Sequence, residues 1–105
     1  MNIPDEYLAY LREGNELYRD LKAEEFDRYF DLCPEENLKE WNEDYEVAKY
    51  APEFTVFGTN GGGELYVFDS SGAIFELPAI GMKSSAALKI ANSWDEFRSQ
   101  IIQTT

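Results

Sequence analysis

The glycine-rich centre of the chain constrains its fold more than any other segment. Two apolar runs, residues 54–57 and 65–68, flank the sequence TNGGGE at residues 59–64. Asn-Gly and Gly-Gly pairs readily adopt the positive φ angles of tight hairpin turns. The arrangement therefore predicts two antiparallel strands, at 54–58 and 64–69, and a positive φ at one or more of the three glycines.

Further strands are predicted on both sides of this hairpin. The sequence SSG at residues 70–72 is a second turn signal, so residues 73–77 should return antiparallel and complete a meander over 54–77. Upstream, residues 26–32 alternate apolar and polar side chains, as a half-buried strand does. Residues 17–20 are a shorter candidate strand.

The first and last helices are predicted near residues 4–12 and 94–102. Pro4 suits the first turn of a helix, where its missing N–H has no intrahelical partner to lose. Gly14 should end the first helix. The sequence SWDE at residues 93–96 has the form of a capping box, which predicts the start of the last helix.

A middle helix is predicted at residues 34–48, with Cys33 as its N-cap and Pro34 in its first position. Its apolar stripe follows helical spacing and consists of Leu38, Trp41, Tyr45 and Ala48. The segment 79–91 has no firm apolar period, so it receives no assignment.

Together these elements predict one α+β domain over residues 1–105, in which a mostly antiparallel sheet of five or six strands packs against about three helices. A chain of this length can bury roughly 60–70% of its unfolded surface, which is enough for one core. The residues expected in that core are Leu8, Leu11, Phe30, Leu38, Trp41, Phe57, Phe68, Trp94 and Phe97.

The chain is strongly acidic, with a net charge of −12 from 21 acidic and 9 basic residues. Residues 1–53 alone carry a net charge of −10. Such a charge repels phosphate backbones, which disfavours direct nucleic-acid binding. It also attracts basic proteins and speeds encounter with them. The alternative interpretation is that the charge serves only solubility.

Several kinds of chemistry are disfavoured by composition. Without histidine, no Ser-His-Asp or Cys-His arrangement can form from this chain. A single cysteine allows no internal disulfide and makes a zinc site improbable. The glycine loop is followed by Glu64 rather than by the Lys-Ser/Thr pair of a phosphate loop. We therefore expect no cofactor and no catalytic residue. Because no apolar run approaches the roughly 20 residues of a membrane span, and no signal peptide is recognised, the expected location is the cytoplasm.

Candidate interaction residues lie on the predicted middle helix and among the tyrosines. Glu36, Glu40, Glu43 and Asp44 would form an acidic surface, which is either a solvated face, a docking surface for a basic partner, or a calcium or magnesium site. Tyrosines are enriched at interfaces. Compared with the tryptophans and most phenylalanines, which the pattern assigns to the core, the better interface candidates are Tyr10, Tyr18, Tyr29, Tyr50 and Tyr66. For each of them taken singly, a place at the edge of the core is the favoured interpretation.

The series N..Y....YAP.F..FG.NGGGELYVFD at residues 42–69 resembles the SMI1/KNR4 family, also called the SUKH superfamily. The opening IPDEYLAYL at 3–11 is similar to the first helix of that family. LPAI at 77–80, followed by IANSWDEF at 90–97, is similar to its C-terminal part. The resemblance rests on the order and spacing of these motifs over about 95 residues. One departure is the order Gly-Asn at residues 14–15, where the family usually has Asn-Gly.

The resemblance implies a protein-binding module without enzymatic activity. In bacteria it implies an immunity protein that neutralises a basic toxin domain, of nuclease or deaminase type, by stoichiometric binding. A regulatory scaffold is the first alternative, and a small carboxylate-dependent hydrolase is the second. The residues expected to bind the partner are Glu36, Glu40, Glu43, Asp44, Tyr50, Asn60 and Tyr66.

Overall fold

The computed structural model describes residues 2–14, 18–23 and 26–101, and the side chains of residues 2–14 and 30–99. It contains one six-stranded sheet in which every pair of neighbouring strands is antiparallel and the strand order follows the sequence. The strands are β1 Tyr18–Ala23, β2 Phe26–Leu32, β3 Thr55–Thr59, β4 Glu64–Phe68, β5 Ile74–Pro78 and β6 Leu88–Ala91.

The helices are α1 Asp5–Arg12, α2 Leu38–Asp44, α3 Val47–Tyr50 and α4 Trp94–Ile101, with short 3-10 turns at Glu35–Asn37 and Ser84–Ala86. The α+β class and the antiparallel sheet are confirmed. Strand β6 and the second 3-10 turn occupy much of the segment that had received no assignment. Among the helices that the structure describes, none is both long and apolar enough to cross a membrane.

The predicted central hairpin is present, with β3 and β4 joined by residues 60–63. Gly61 has a φ of 77° and Gly63 a φ of 93°, which confirms the expected positive φ. The second turn is also confirmed. It contains Gly72, with a φ of 88°, and is held by the Asp69 carboxylate, which accepts from the N–H groups of Ser71 and Ala73.

The predicted middle helix is wrong as a continuous element. After the 3-10 turn, α2 ends at Asp44, and Glu46 adopts the left-handed conformation with φ 54° and ψ 41° before α3 begins. This reversal shifts the helical phase of the residues that follow it. Val47 is therefore buried, whereas Ala48, expected in the apolar stripe, is exposed. Tyr45, also expected in that stripe, caps the end of α2 and is exposed as well.

The core consists of two clusters that share the sheet between them. Along β4, Tyr66 and Phe68 enter an aromatic cluster, whereas Leu65 and Val67 enter an aliphatic one, as the two-residue period of a strand requires. The aromatic cluster contains the buried ring of Trp94, packed edge-on against several neighbours.

Six of the nine expected core residues are buried, namely Phe30, Leu38, Phe57, Phe68, Trp94 and Phe97. The other three, Leu8, Leu11 and Trp41, are only half-buried and pack against the edge of the core. They lie on helices that cover the sheet from outside, so one side of each remains in solvent.

The two terminal helices are joined directly. The backbone N–H of Trp94, in the first position of α4, donates to the Glu6 carboxylate of α1 at 3.1 Å. The Ser93 hydroxyl accepts from the N–H of Glu96 at 3.1 Å, which confirms the predicted cap. The carboxylate of Glu96 returns to the N–H of Asn92, one residue before the cap. These bonds fix α4 against α1 over the aromatic cluster.

Candidate functional site

The expected acidic residues are all exposed on one part of the chain. Glu36 lies in the 3-10 turn before α2, and Glu40, Glu43 and Asp44 lie on α2 itself. Residues 31–53 contain eight acidic residues and two lysines, a net charge of −6. Glu36 lies in the 3-10 turn, whereas Glu40 and Glu43 lie within α2, so the three do not belong to one continuous α-helix.

Most of these carboxylates are not engaged by other side chains. Glu43 lies 4.0 Å from the ammonium of Lys39, an exposed pair of little energetic value. Glu36, Glu40 and Asp44 make no side-chain hydrogen bond or ion pair with any residue that the structure describes. Their negative field is therefore directed at solvent and at whatever approaches this surface.

A groove opens beside the end of α2, where the chain turns into α3. It has a volume of about 480 Å³ and lies between the α2–α3 corner and the loop after β5. We name it the corner groove, and its lining residues are Asp44, Tyr45, Glu46, Tyr50, Ala79, Gly81 and Met82. No lysine or arginine is among them.

Large apolar side chains are exposed around this groove. Tyr45 is 37% exposed, Tyr50 is 46% exposed, and Ile80, between two lining residues, is 92% exposed. Met82 is 8% exposed and belongs to the aliphatic core cluster. Exposed aromatic and aliphatic side chains gathered around one concavity are typical of an interaction site.

Glu46, at the rim of the corner groove, carries backbone strain. A left-handed conformation costs an L-residue about 1–2 kcal/mol, a cost that glycine does not have, although glycine is more flexible when unfolded. We therefore expect Glu46→Gly to raise the free energy of unfolding by about 0.5–1 kcal/mol in urea titrations. The control is Glu46→Ala, which removes the carboxylate and keeps the strain. Equal stability of the two variants would contradict a strained backbone at this position.

A second groove lies on the other side of Glu46, with a volume of about 610 Å³. Its lining includes Glu43, Pro52 and Phe54 together with two cations, Lys39 and Lys49. The two grooves thus differ in charge. The second groove is lined by both acidic and basic residues, whereas every charged residue that lines the corner groove is acidic.

Asn42 attaches α2 to the sheet. Its side-chain carbonyl accepts from the Val56 N–H at 2.8 Å, and its amide donates to the carbonyl oxygens of Val56 at 3.0 Å and Leu38 at 2.8 Å. Strand β2 pairs with β3 only at Thr59 and Gly58. Farther along β3, the Asn42 amide supplies the hydrogen bonds that a neighbouring strand would otherwise make to Val56. The position of the acidic helix therefore depends on this side chain.

Two of the tyrosines considered as interface candidates are buried, and one of them, Tyr66, was also expected to bind the partner. Tyr66 is 2% exposed and packs against Phe97, so its expected exposure at an interface is wrong. Tyr10 is likewise buried, against Trp94. The side chains of Tyr18 and Tyr29 lie outside the described part of the chain.

Asn60 is engaged within the glycine loop. Its side-chain oxygen accepts from the N–H groups of Gly62 and Glu64, while the Thr59 hydroxyl accepts from Gly61. The N–H groups of Gly61, Gly62 and Glu64 are therefore already bonded to neighbouring side chains, so they are not free donors for an incoming anion.

Cys33 is buried, and burial together with the nearby carboxylates raises the pKa of its thiol to about 12. It is therefore a protonated, unreactive group at neutral pH. Among the described residues, no three acidic or cysteine side chains come close enough to hold one metal ion.

Tyr45, Glu46 and the loop residues 79–82 were missed by sequence reasoning. The helical spacing of Tyr45 predicts a core position, and the loop belongs to the segment without a firm apolar period. The one local signal was Ile80 followed by Gly81, an apolar residue at a turn rather than within a periodic element.

The family model described as "SMI1 / KNR4 family (SUKH-1)" matches residues 1–100 of the chain. No curated protein is similar to it at a significant level. The matched residues include α1, the whole sheet, the acidic residues of α2 and all of α4 except its final residue.

Proposed function

Because the chain belongs to the SMI1/KNR4 family (SUKH-1), we propose that it is an immunity protein that neutralises a basic toxin domain by stoichiometric binding. The family assignment supports a protein-binding module in general. The acidic surface of α2 supports a basic partner, and a toxin that cuts or deaminates nucleic acid has a basic substrate cleft for the same electrostatic reason.

The observation that carries this proposal is the set of unpaired carboxylates Glu36, Glu40 and Asp44 beside an aromatic groove. Charge alone would draw many basic proteins to this surface weakly. Exposed tyrosines add apolar area and hydroxyl groups at modest entropic cost, and such residues form much of the binding energy at interfaces. In this scheme the carboxylates steer the partner and the tyrosines hold it, so that the toxin's cleft, or a surface beside it, is covered.

The direct test uses the toxin domain encoded next to this chain. We expect the two proteins to form a 1:1 complex by size-exclusion chromatography with light scattering. We also expect co-expression to protect cells from the toxin. Absence of both binding and protection would refute the immunity assignment. Turnover of nucleic acid, ester or glycoside by the purified protein would instead favour an enzyme.

The acidic surface should act mainly on the association rate. We expect the triple variant Glu36→Gln, Glu40→Gln and Glu43→Gln to associate several-fold more slowly and to dissociate at nearly the same rate. The difference from the unmodified protein should shrink as salt rises, because the screening length falls from about 30 Å at 0.01 M to about 10 Å at 0.1 M. Surface plasmon resonance at two salt concentrations measures both rates.

The matched control removes three exposed acids outside α2 and the turn before it, as Asp5→Asn, Glu53→Gln and Asp95→Asn. It has the same net charge as the triple variant. If both variants associate equally slowly, overall charge rather than the α2 surface determines the rate.

A further inference from the structure

We propose that the corner groove receives an arginine side chain from the partner, with the guanidinium between Tyr50 and the carboxylates of Asp44 and Glu46. This inference rests on the proposed function for the identity of the partner, and on the geometry of the groove for the residue that the partner inserts. It assigns a specific contact to the groove beside the carboxylates that steer the partner.

The rings at the groove are suited to a cation. In the free protein the ammonium of Lys49 already lies 5.1 Å from the centre of the Tyr50 ring, a distance at which the negative face of an aromatic ring attracts positive charge. Tyr50 is 46% exposed, so an incoming guanidinium can reach the ring and displace this ammonium. A planar guanidinium stacks on such a ring more effectively than a strongly hydrated ammonium does.

Two carboxylates stand at the same groove without a partner of their own. Asp44 and Glu46 make no side-chain hydrogen bond or ion pair with any residue in the described part of the chain. A guanidinium offers five N–H donors in a fixed fork, which can bond one carboxylate in bidentate fashion and still reach a second. Glu46 is held at the rim by its left-handed backbone, so its position relative to Asp44 is set by the fold.

The floor of the groove suits the apolar stem of arginine. Met82 and Ala79 belong to the aliphatic core cluster, or pack against it, together with Val47 of α3. The three methylene groups of an arginine can lie on such a floor while its head stays at the polar rim. An anionic ligand would meet two carboxylates, and a purely apolar one would leave them without a counter-charge.

The second groove provides an internal comparison. Lys39 and Lys49 both line it, so an incoming arginine there would meet two ammonium groups, whereas at the corner groove it would meet only that of Lys49, over the Tyr50 ring. The difference between the grooves predicts that an arginine probe will select the corner groove, even though the second groove is larger.

To test this inference, ¹⁵N-labelled protein is titrated at low salt with a capped peptide of sequence Gly-Arg-Gly-Arg-Gly. Two-dimensional NMR spectra record the chemical-shift changes of the backbone amides. We expect shifts concentrated at the amides of residues 44–50 and 79–82. The same peptide with lysine in place of arginine should bind more weakly. Substituting Tyr50→Leu, which removes the ring and keeps an apolar side chain, should abolish that preference for arginine.

Paired charge variants separate a specific contact from general attraction. The double variant Asp44→Asn and Glu46→Gln should weaken arginine-peptide binding about tenfold, since charge-assisted bonds are lost. Glu36→Gln with Glu40→Gln removes the same charge outside the groove and should change affinity less than about twofold. Folding of each variant is checked by dispersion of its amide spectrum.

Three outcomes would overturn the inference: no shifts at the groove, shifts spread evenly over all acidic surfaces, or equal effects of the two double variants. The peptide experiment needs no toxin, so it is independent of the immunity assignment. Selective peptide binding by a protein that fails to bind the neighbouring toxin would refute the proposed function and leave the groove assignment standing.

Discussion

Replacing Trp94 with alanine is expected to lower the free energy of unfolding by about 3–5 kcal/mol, the loss typical of deleting a large buried aromatic ring. Trp94 is fully buried, and its ring packs against those of Tyr7, Tyr10, Phe57 and Phe97. Since small domains have total stabilities of only about 5–15 kcal/mol, the variant should unfold at a much lower urea concentration. Far-UV circular dichroism during urea titration measures this loss.

Trp94→Phe is the matched control. The indole N–H is buried without a hydrogen-bond partner in the described structure, so its removal costs no hydrogen bond. We expect the phenylalanine variant to lose less than about half as much stability as the alanine variant, because it keeps a ring in the cluster. Similar losses in both variants would mean that the site depends on indole itself rather than on ring packing.

Replacing Asn42 with leucine should cost about 2–4 kcal/mol, because the substitution leaves buried backbone groups unbonded. The N–H and carbonyl of Val56 would lose their partners, and Val56 is fully buried. Leucine has the same branched skeleton of side-chain heavy atoms as asparagine, so the substitution leaves no cavity and the loss would reflect the missing hydrogen bonds. Urea titration gives the magnitude, and amide exchange at Val56 should accelerate more than exchange elsewhere on β3.

Asn42→Asp distinguishes this hydrogen-bonding role from a packing role. An ionised carboxylate would still accept from the Val56 N–H but would repel the two carbonyl oxygens that the amide now serves. The protonated form could donate to one of them, so folding should raise the pKa of the new carboxyl group. The stability deficit relative to the unmodified protein should therefore shrink as the pH falls through that raised pKa. A deficit independent of pH would contradict the hydrogen-bonding role.

The parts of the fold with local sequence signals were predictable. The central hairpin depends on glycines that tolerate positive φ, and the start of α4 depends on a serine followed three residues later by glutamate. Both signals act within a few residues and need no tertiary context. The break between α2 and α3 has no such signal, because its left-handed residue is Glu46 rather than glycine or asparagine.

The exposure of the acidic residues was predictable because an unpaired carboxylate is costly to bury. The burial of Tyr66 was not. Strand β4 lies between two core clusters, so all of Leu65, Tyr66, Val67 and Phe68 are buried and no outward face exists. Alternation along a strand indicates which residues share a side, but it does not reveal whether that side is covered.

The corner groove was beyond sequence reasoning for a different reason. Its walls come from residues 44–50 and 79–82, which are about 30 positions apart in the chain. Their proximity depends on β3, β4 and β5 lying side by side and on α3 covering the aliphatic cluster. No pattern within either segment contains that information.

The bond between Glu6 and Trp94 has a consequence for the order of events during synthesis of the protein. Each strand of the sheet pairs with the strand made just before it, so the meander can assemble stepwise as the chain leaves the ribosome. Helix α1 does not pack against the segment made next to it, because the Tyr7 ring contacts Phe57, Phe68 and Trp94, which are synthesised much later. Helix α1 is thus completed by α4, and until residue 97 has emerged the ribosome carries a chain whose aromatic core is still open to water.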